Sequence, residues 1–173
     1  MSVDPRLASG TIDVLASTPA TLRALMISLP SEIIETPGAE GWSARDVVAH
    51  LLARHDDALV GRVRAMLEHD GPLLPDIPDE TGIDALRCRS LGELCDDLAA
   101  RRAEATTWLR TLSDEQLARG GSHEVAGEIT IADVLHHLAY HDLLHAAQAA
   151  RLIAAPLERR RGAIRDAFPD EGG

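Results

Sequence analysis

Aliphatic residues recur three and four positions apart through most of the chain, and runs alternating with period two are absent. That periodicity predicts an all-α protein. Thr18 before Pro19 reads as an N-cap followed by proline at the first helical position. A first helix then passes through Leu22, Leu25, Met26 and Leu29 and stops at Pro30, and a separate helical piece over residues 7–15 leads into it. Ser43-Ala44-Arg45-Asp46 resembles a capping box, with aspartate in place of the usual glutamate, and opens a long second helix over residues 44–69. A loop with prolines at 72, 75 and 78 covers residues 70–84. Ser90-Leu91-Gly92-Glu93 is a full capping box for a third helix reaching residue 112, and Ser113-Asp114-Glu115-Gln116 opens a short helix before Gly120-Gly121. Thr130-Ile131-Ala132-Asp133 opens the last long helix, which should end near residues 155–156, and a basic stretch over 158–165 suggests one more short helix. Four main helices of these lengths predict a four-helix bundle.

Composition narrows the function classes. With 173 residues, 45% of them hydrophobic, the chain reads as one domain over residues 1–173 with a short tail over 156–173. The 17 basic residues are all arginine, so a catalytic lysine or a Schiff base is ruled out. A net charge of −11 repels phosphate backbones and acidic membranes alike, so neither nucleic acid nor membrane is an expected partner. The opening MSVDPRLASG has no basic and no apolar signal region. Residues 131–155, the longest mostly apolar stretch, carry four histidines and two aspartates, too polar for a membrane span. Cys88 and Cys95, seven apart, would share one helix face out of disulfide reach, so reduced thiols and a cytoplasmic location are expected. Cys95 falls among Leu91, Leu94 and Leu98, as a small buried hydrophobe would.

The histidines concentrate the chemistry. His136, His137, His141 and His145 fall in ten residues. At about 100° per residue, His145 and His137 lie about 40° either side of His141, and His136 about 140° away. Val134, Leu138, Gln148 and Leu152 share the face of His141 and His145, so that pair points inward from an apolar stripe. Two imidazoles at i and i+4 stand over each other and can bind one ion, although a histidine-rich helix with satisfied imidazoles gives the same spacing. On the second helix His50 shares a face with Val47, Ala58 and Gly61, and also with Arg54 and Asp57. So much polarity on one face calls for a cavity, a metal or water, or else for an Arg54–Asp57 ion pair at the bundle edge. His55, about 140° from His50, reads as solvated. His69 reads as a residue at a helix C-terminus, and His123 as an exposed loop residue or one at a pocket mouth.

The stretch from Gly41-Trp42-Ser43 to His50-Leu51 resembles the second-helix motif of the DinB/YfiT-like superfamily. The stretch from Ile129-Thr130-Ile131 to His141-Asp142-Leu143-Leu144-His145-Ala146-Ala147-Gln148 resembles its last-helix motif, and Thr18-Pro19-Ala20-Thr21-Leu22 its first helix. The resemblance implies a four-helix bundle with a metal site of three histidines, here His50, His141 and His145. His136 and His137 are further imidazoles beside that pair, so a pair shifted by one turn stays open. Relatives of this kind include S-transferases that use bacillithiol or mycothiol and a mycothiol-dependent maleylpyruvate isomerase.

Three neutral imidazoles leave an ion its full charge and at least one open position, the ligand count of catalytic rather than structural zinc. Zinc or nickel is the first expectation, and imidazoles also suit copper and iron. The expected activity is a transferase that activates a low-molecular-weight thiol for attack on an electrophile, with Arg54 and Asp57 orienting the thiol or holding an anionic group on it. The alternatives are a metal-dependent hydrolase, a non-catalytic metal-binding stress protein, and a scaffold with relict histidines. A homodimer is expected through Ala139, Leu143, Ala146, Ala147 and Ala150, small or apolar residues roughly opposite the metal face.

Overall fold

The computed structural model describes residues 5–167. Its main helices are α1 (Pro5–Met26), α3 (Ala44–Arg54) continued through a π-helical stretch (His55–Gly61) into α4 (Arg62–Glu68), α5 (Leu91–Leu109) and α7 (Ile131–Glu158). Short helices α2 (Ser31–Ile34), α6 (Asp114–Leu117) and α8 (Ala163–Ala167) connect or follow them. The capping boxes at Ser43, Ser90, Ser113 and Thr130 all form, each with its reciprocal side-chain and backbone bonds. The all-α bundle reading therefore holds.

Several local expectations are corrected. Pro19 does not start a helix, because α1 runs straight through it. Thr18 Oγ1 donates to the Val14 carbonyl at 3.0 Å instead of capping. An interior proline costs about 3 kcal/mol. Burying Leu15, Leu22 and Met26 completely against α5 and α7 contributes about 1.5–3 kcal/mol each, so packing wins. Likewise α7 passes through Pro156 to Glu158. Of the basic tail, a helix forms at Ala163–Ala167, and residues 168–173 lie outside the described residues. Cys88 precedes α5 and is exposed, whereas Cys95 is buried within α5, so the two do not share a helix; both are free thiols.

A small sheet is added beside the bundle. β1 (Leu73–Leu74) runs parallel to β2 (Gly120–His123), which is antiparallel to β3 (Gly127–Thr130). Strands this short cannot display alternation in the sequence. Gly121 is where β2 crosses closest to its neighbours, since a Cβ there would sit 3.0 Å from the Pro72 carbonyl oxygen.

Around the bundle, α1 and α3 each pack on both α5 and α7. The core is divided in two. One cluster holds Leu15, Leu59, Leu109 and Leu135, and the other Leu22, Leu51, Leu98 and Ala149. Between them in sequence on every helix stands a buried polar residue: Thr18, His55, Arg102 and Asp142. His55, expected in solvent, is only 3% exposed. It stands where α3 passes into the π-helical stretch, and both pack on α5 as well as α7, so the face away from His50 is covered too.

The face proposed for self-association divides. Ala139 is buried and Ala146 packs on the core, which corrects their assignment, while Leu143, Ala147 and Ala150 are exposed. Among the described residues no helix is long and apolar enough to cross a membrane.

Candidate metal centre

His50 projects from α3, fully buried, and meets His141 and His145 from α7. His141 Nε2 lies 3.2 Å from His50 Nε2 and 3.1 Å from His145 Nε2, and the ligand atoms of all three fall within 4.8 Å of one another. Nitrogens bound tetrahedrally at about 2.0–2.1 Å from one ion stand about 3.3 Å apart.

The surroundings fix the tautomers. A carbonyl only accepts, so His50 Nδ1–H donates to the Asp79 carbonyl at 2.9 Å. His145 Nδ1–H donates to Gln148 Oε1 at 2.7 Å. Both rings therefore turn an Nε2 lone pair toward His141 Nε2, whose single proton, in the neutral ring, can satisfy only one of them. A cation at the centre satisfies all three, so the donor set fits a divalent ion with imidazole affinity. His141 Nδ1 is buried without a partner. The Trp42 ring stacks on His145 at 5.9 Å between centroids and tilts against His50 at 4.9 Å. Gly41, at φ +83°, makes the left-handed turn just before Trp42.

Electrostatics keep His50 and His141 neutral. Burial, followed by the charge His145 would carry, lowers the His50 pKa to about 4. Burial, then His145 and His50, lowers that of His141 to about 3. Imidazoles that resist protons are free to bind a cation at neutral pH.

A cavity of about 500 Å³ opens beside His141, walled by the loop over residues 70–84 and by the hairpin of β2 and β3. A second cleft of about 300 Å³, lined by Trp42, Asp79 and Gln148, opens beside His145. Arg54 lines the larger cavity, but its guanidinium donates to the carbonyls of Ile77 and Pro78 and lies 3.9 Å from Asp79. Asp57 is exposed on the π-helical stretch, outside the residues lining that cavity and without the ion pair to Arg54 that the sequence allowed. His137 also lines the cavity, with its ring 6.1 Å from that of His141, and is not among the three converging residues. His123 stands at the mouth, its Nδ1 accepting from the Val125 and Ala126 amides. Sequence reasoning passed over the supporting roles of Trp42 and Asp79, and it passed over Arg62. Trp42 lay inside a quoted motif, whereas nothing in the sequence marked Asp79 or Arg62.

A family model described as the DinB superfamily matches residues 15–149. A protein of Bacillus subtilis (strain 168) named "Putative metal-dependent hydrolase YfiT" is 29% identical over 146 residues, which cover 82% of this chain and 81% of that one. The solved structure of YfiT from Bacillus subtilis, described as a "probable metal-dependent hydrolase with an unusual four-helix bundle topology", superposes with a TM-score of 0.77. It covers 93% of this chain and 91% of that one at 24% identity.

Proposed function

We propose that this chain, which belongs to the DinB superfamily, holds one divalent transition-metal ion on His50, His141 and His145 and is an enzyme that activates an exogenous nucleophile there. The observation that carries this reading is the convergence of three Nε2 atoms at a point open to a cavity. An ion so held supplies positive charge that favours thiolate over thiol, or lowers the pKa of water. Zinc or nickel suits the donors. The chain offers no nucleophile of its own at the site. It has no lysine, Cys95 is buried with its thiol pKa pushed up by burial, and Cys88 is exposed before α5.

The first reading is transfer of a low-molecular-weight thiol to an electrophile. In it, Asp79 and Gln148 hold the imidazoles, Trp42 packs against two of them, and Arg54 fixes the loop that walls the cavity. Asp57, exposed and outside the residues lining the cavity, serves in this reading as an orienting group for a bound thiol that extends outward. The second reading, hydrolysis, is favoured by the name of the Bacillus subtilis relative. The chain is further read as a homodimer through the exposed part of α7, to be checked as twice the monomer mass in light scattering.

Metal-loaded, tag-free protein incubated with monochlorobimane and cellular thiols separates the two. Thiol transfer predicts a rate above the uncatalysed one that disappears in His50→Ala. No acceleration with any common bacterial thiol, together with metal-dependent cleavage of model esters or amides, would place hydrolysis first.

A further inference from the structure

Arginines in this acidic chain mostly meet carboxylates, as in the Arg23–Asp96, Arg89–Asp97, Arg102–Asp142 and Arg110–Asp13 pairs. Arg62 does not follow the pattern. It is half-buried at the start of α4, lines the cavity beside the triad, and donates through Nη2 to the Pro75 carbonyl at 2.9 Å. Its Nε is buried with no partner at all. Arg54 lines the same cavity close enough to lower the Arg62 pKa, after burial as the main cause, with Asp76 opposing. Two guanidiniums brought together in a partly enclosed space repel each other unless an anion lies between them.

Among the described residues no carboxylate around the cavity forms an ion pair with Arg62. Asp133 is committed to the start of α7, accepting from the Thr130 amide and hydroxyl. Asp76 and Asp79 are exposed on the loop, and Asp79 stands toward Arg54. Arg54 is held by the loop carbonyls through both terminal nitrogens, whereas Arg62 has a single hydrogen bond, through Nη2, and so keeps more of its donors free. Ile77, Val125, Ile129 and Leu138 give part of the wall an apolar character.

We propose that the cavity takes a substrate with an apolar body and an anionic oxygen group, a carboxylate or a phosphate, and that Arg62 is the residue that reads that group. This deepens the reading of the triad as a reaction centre and rests on it for the word substrate; the anion site itself stands on the cavity alone. The guanidinium fork suits planar carboxylates and phosphates, and its charge favours an anion over a neutral analogue of the same shape.

Calorimetric titration tests this with 4-phenylbutyrate, its neutral amide, and phenyl phosphate, on both metal-loaded and metal-free protein. Metal-free protein removes direct ligation of the ion by the anion, so failure of the triad reading and failure of the anion site are told apart. The expected result in both forms is that at least one of the two anions binds at least tenfold more tightly than the amide. Arg62→Gln should abolish that preference, Arg62→Lys should keep part of it, and the remote Arg23→Gln should leave it intact. Which of the two anions binds more tightly identifies the group. Equal binding of anions and amide, or a preference that survives in a folded Arg62→Gln protein, overturns the proposal.

Discussion

Two buried polar assemblies share helix α7, one residue apart. Asp142 turns into the bundle and pairs with Arg102 at 3.0 Å, both nearly inaccessible to solvent. His141 and His145, on either side of it in sequence, turn toward His50 and the cavities. In the interior layer an acid and a base cancel each other, although burial pulls both toward their neutral forms. At the triad, three bases face one another with no acid among them. The first arrangement is balanced in charge as the chain folds, although Arg102 Nε and Nη1 and Asp142 Oδ2 are buried without hydrogen-bond partners. The second turns three imidazole Nε2 atoms toward one point with no cationic side chain among the described residues to meet them, which makes it the candidate metal centre.

Breaking the interior pair should have the largest effect. Asp142→Ala leaves a buried guanidinium uncompensated and should cost about 3–5 kcal/mol by denaturant unfolding. Replacing both partners by leucine should cost much less. His141→Leu in metal-free protein should cost less, because it removes an uncharged ring whose Nδ1 already lacks a partner and forfeits only the Nε2 contacts to His50 and His145. If both single replacements lower stability equally, the two assemblies are not different in kind.

Acid should sharpen the contrast next. Burial, then the charge of Arg102, lowers the His55 pKa to about 4, against the opposing pull of Asp56. The unfolded chain therefore binds a proton that the folded chain refuses. The stability associated with neutral His55 is present above pH 6.5 and lost as pH falls through about 4, on the order of 3 kcal/mol. His50 and His141 act in the same direction in the metal-free protein. His55→Leu should flatten the stability profile over that window, and an unchanged profile would contradict the burial assigned to His55.

A smaller effect is expected from Gln148→Ala, which removes the acceptor that orients His145. Metal affinity should fall about 10–100-fold. Unfolding of the metal-free protein should not change, because Gln148 belongs to the triad's support and not to the interior layer.

Much of the bundle was legible because helix starts are local. Ser43, Ser90, Ser113 and Thr130 each carry their partner three residues on, and each box forms. The inward pair His141/His145 was legible from its spacing and His50 from family resemblance, and the structure brings the three together. The failures are tertiary. Pro19 reads as a helix start until the packing of α1 on two neighbours outweighs its local preference. His55 reads as solvated until the packing of its helix on both α5 and α7 covers the face away from His50 as well. Arg62 has no sequence signal, since its meaning depends on a cavity walled by a loop and a hairpin far along the chain.

The central claim is that His50, His141 and His145 together hold one ion. Elemental analysis of protein purified without a histidine tag, beside the His141→Ala variant prepared identically, tests it most directly. The account predicts about one divalent transition-metal ion per chain in the parent protein and most of it lost in the variant. A metal-free parent after exposure to zinc and nickel, or full metal retention in His141→Ala, would contradict it.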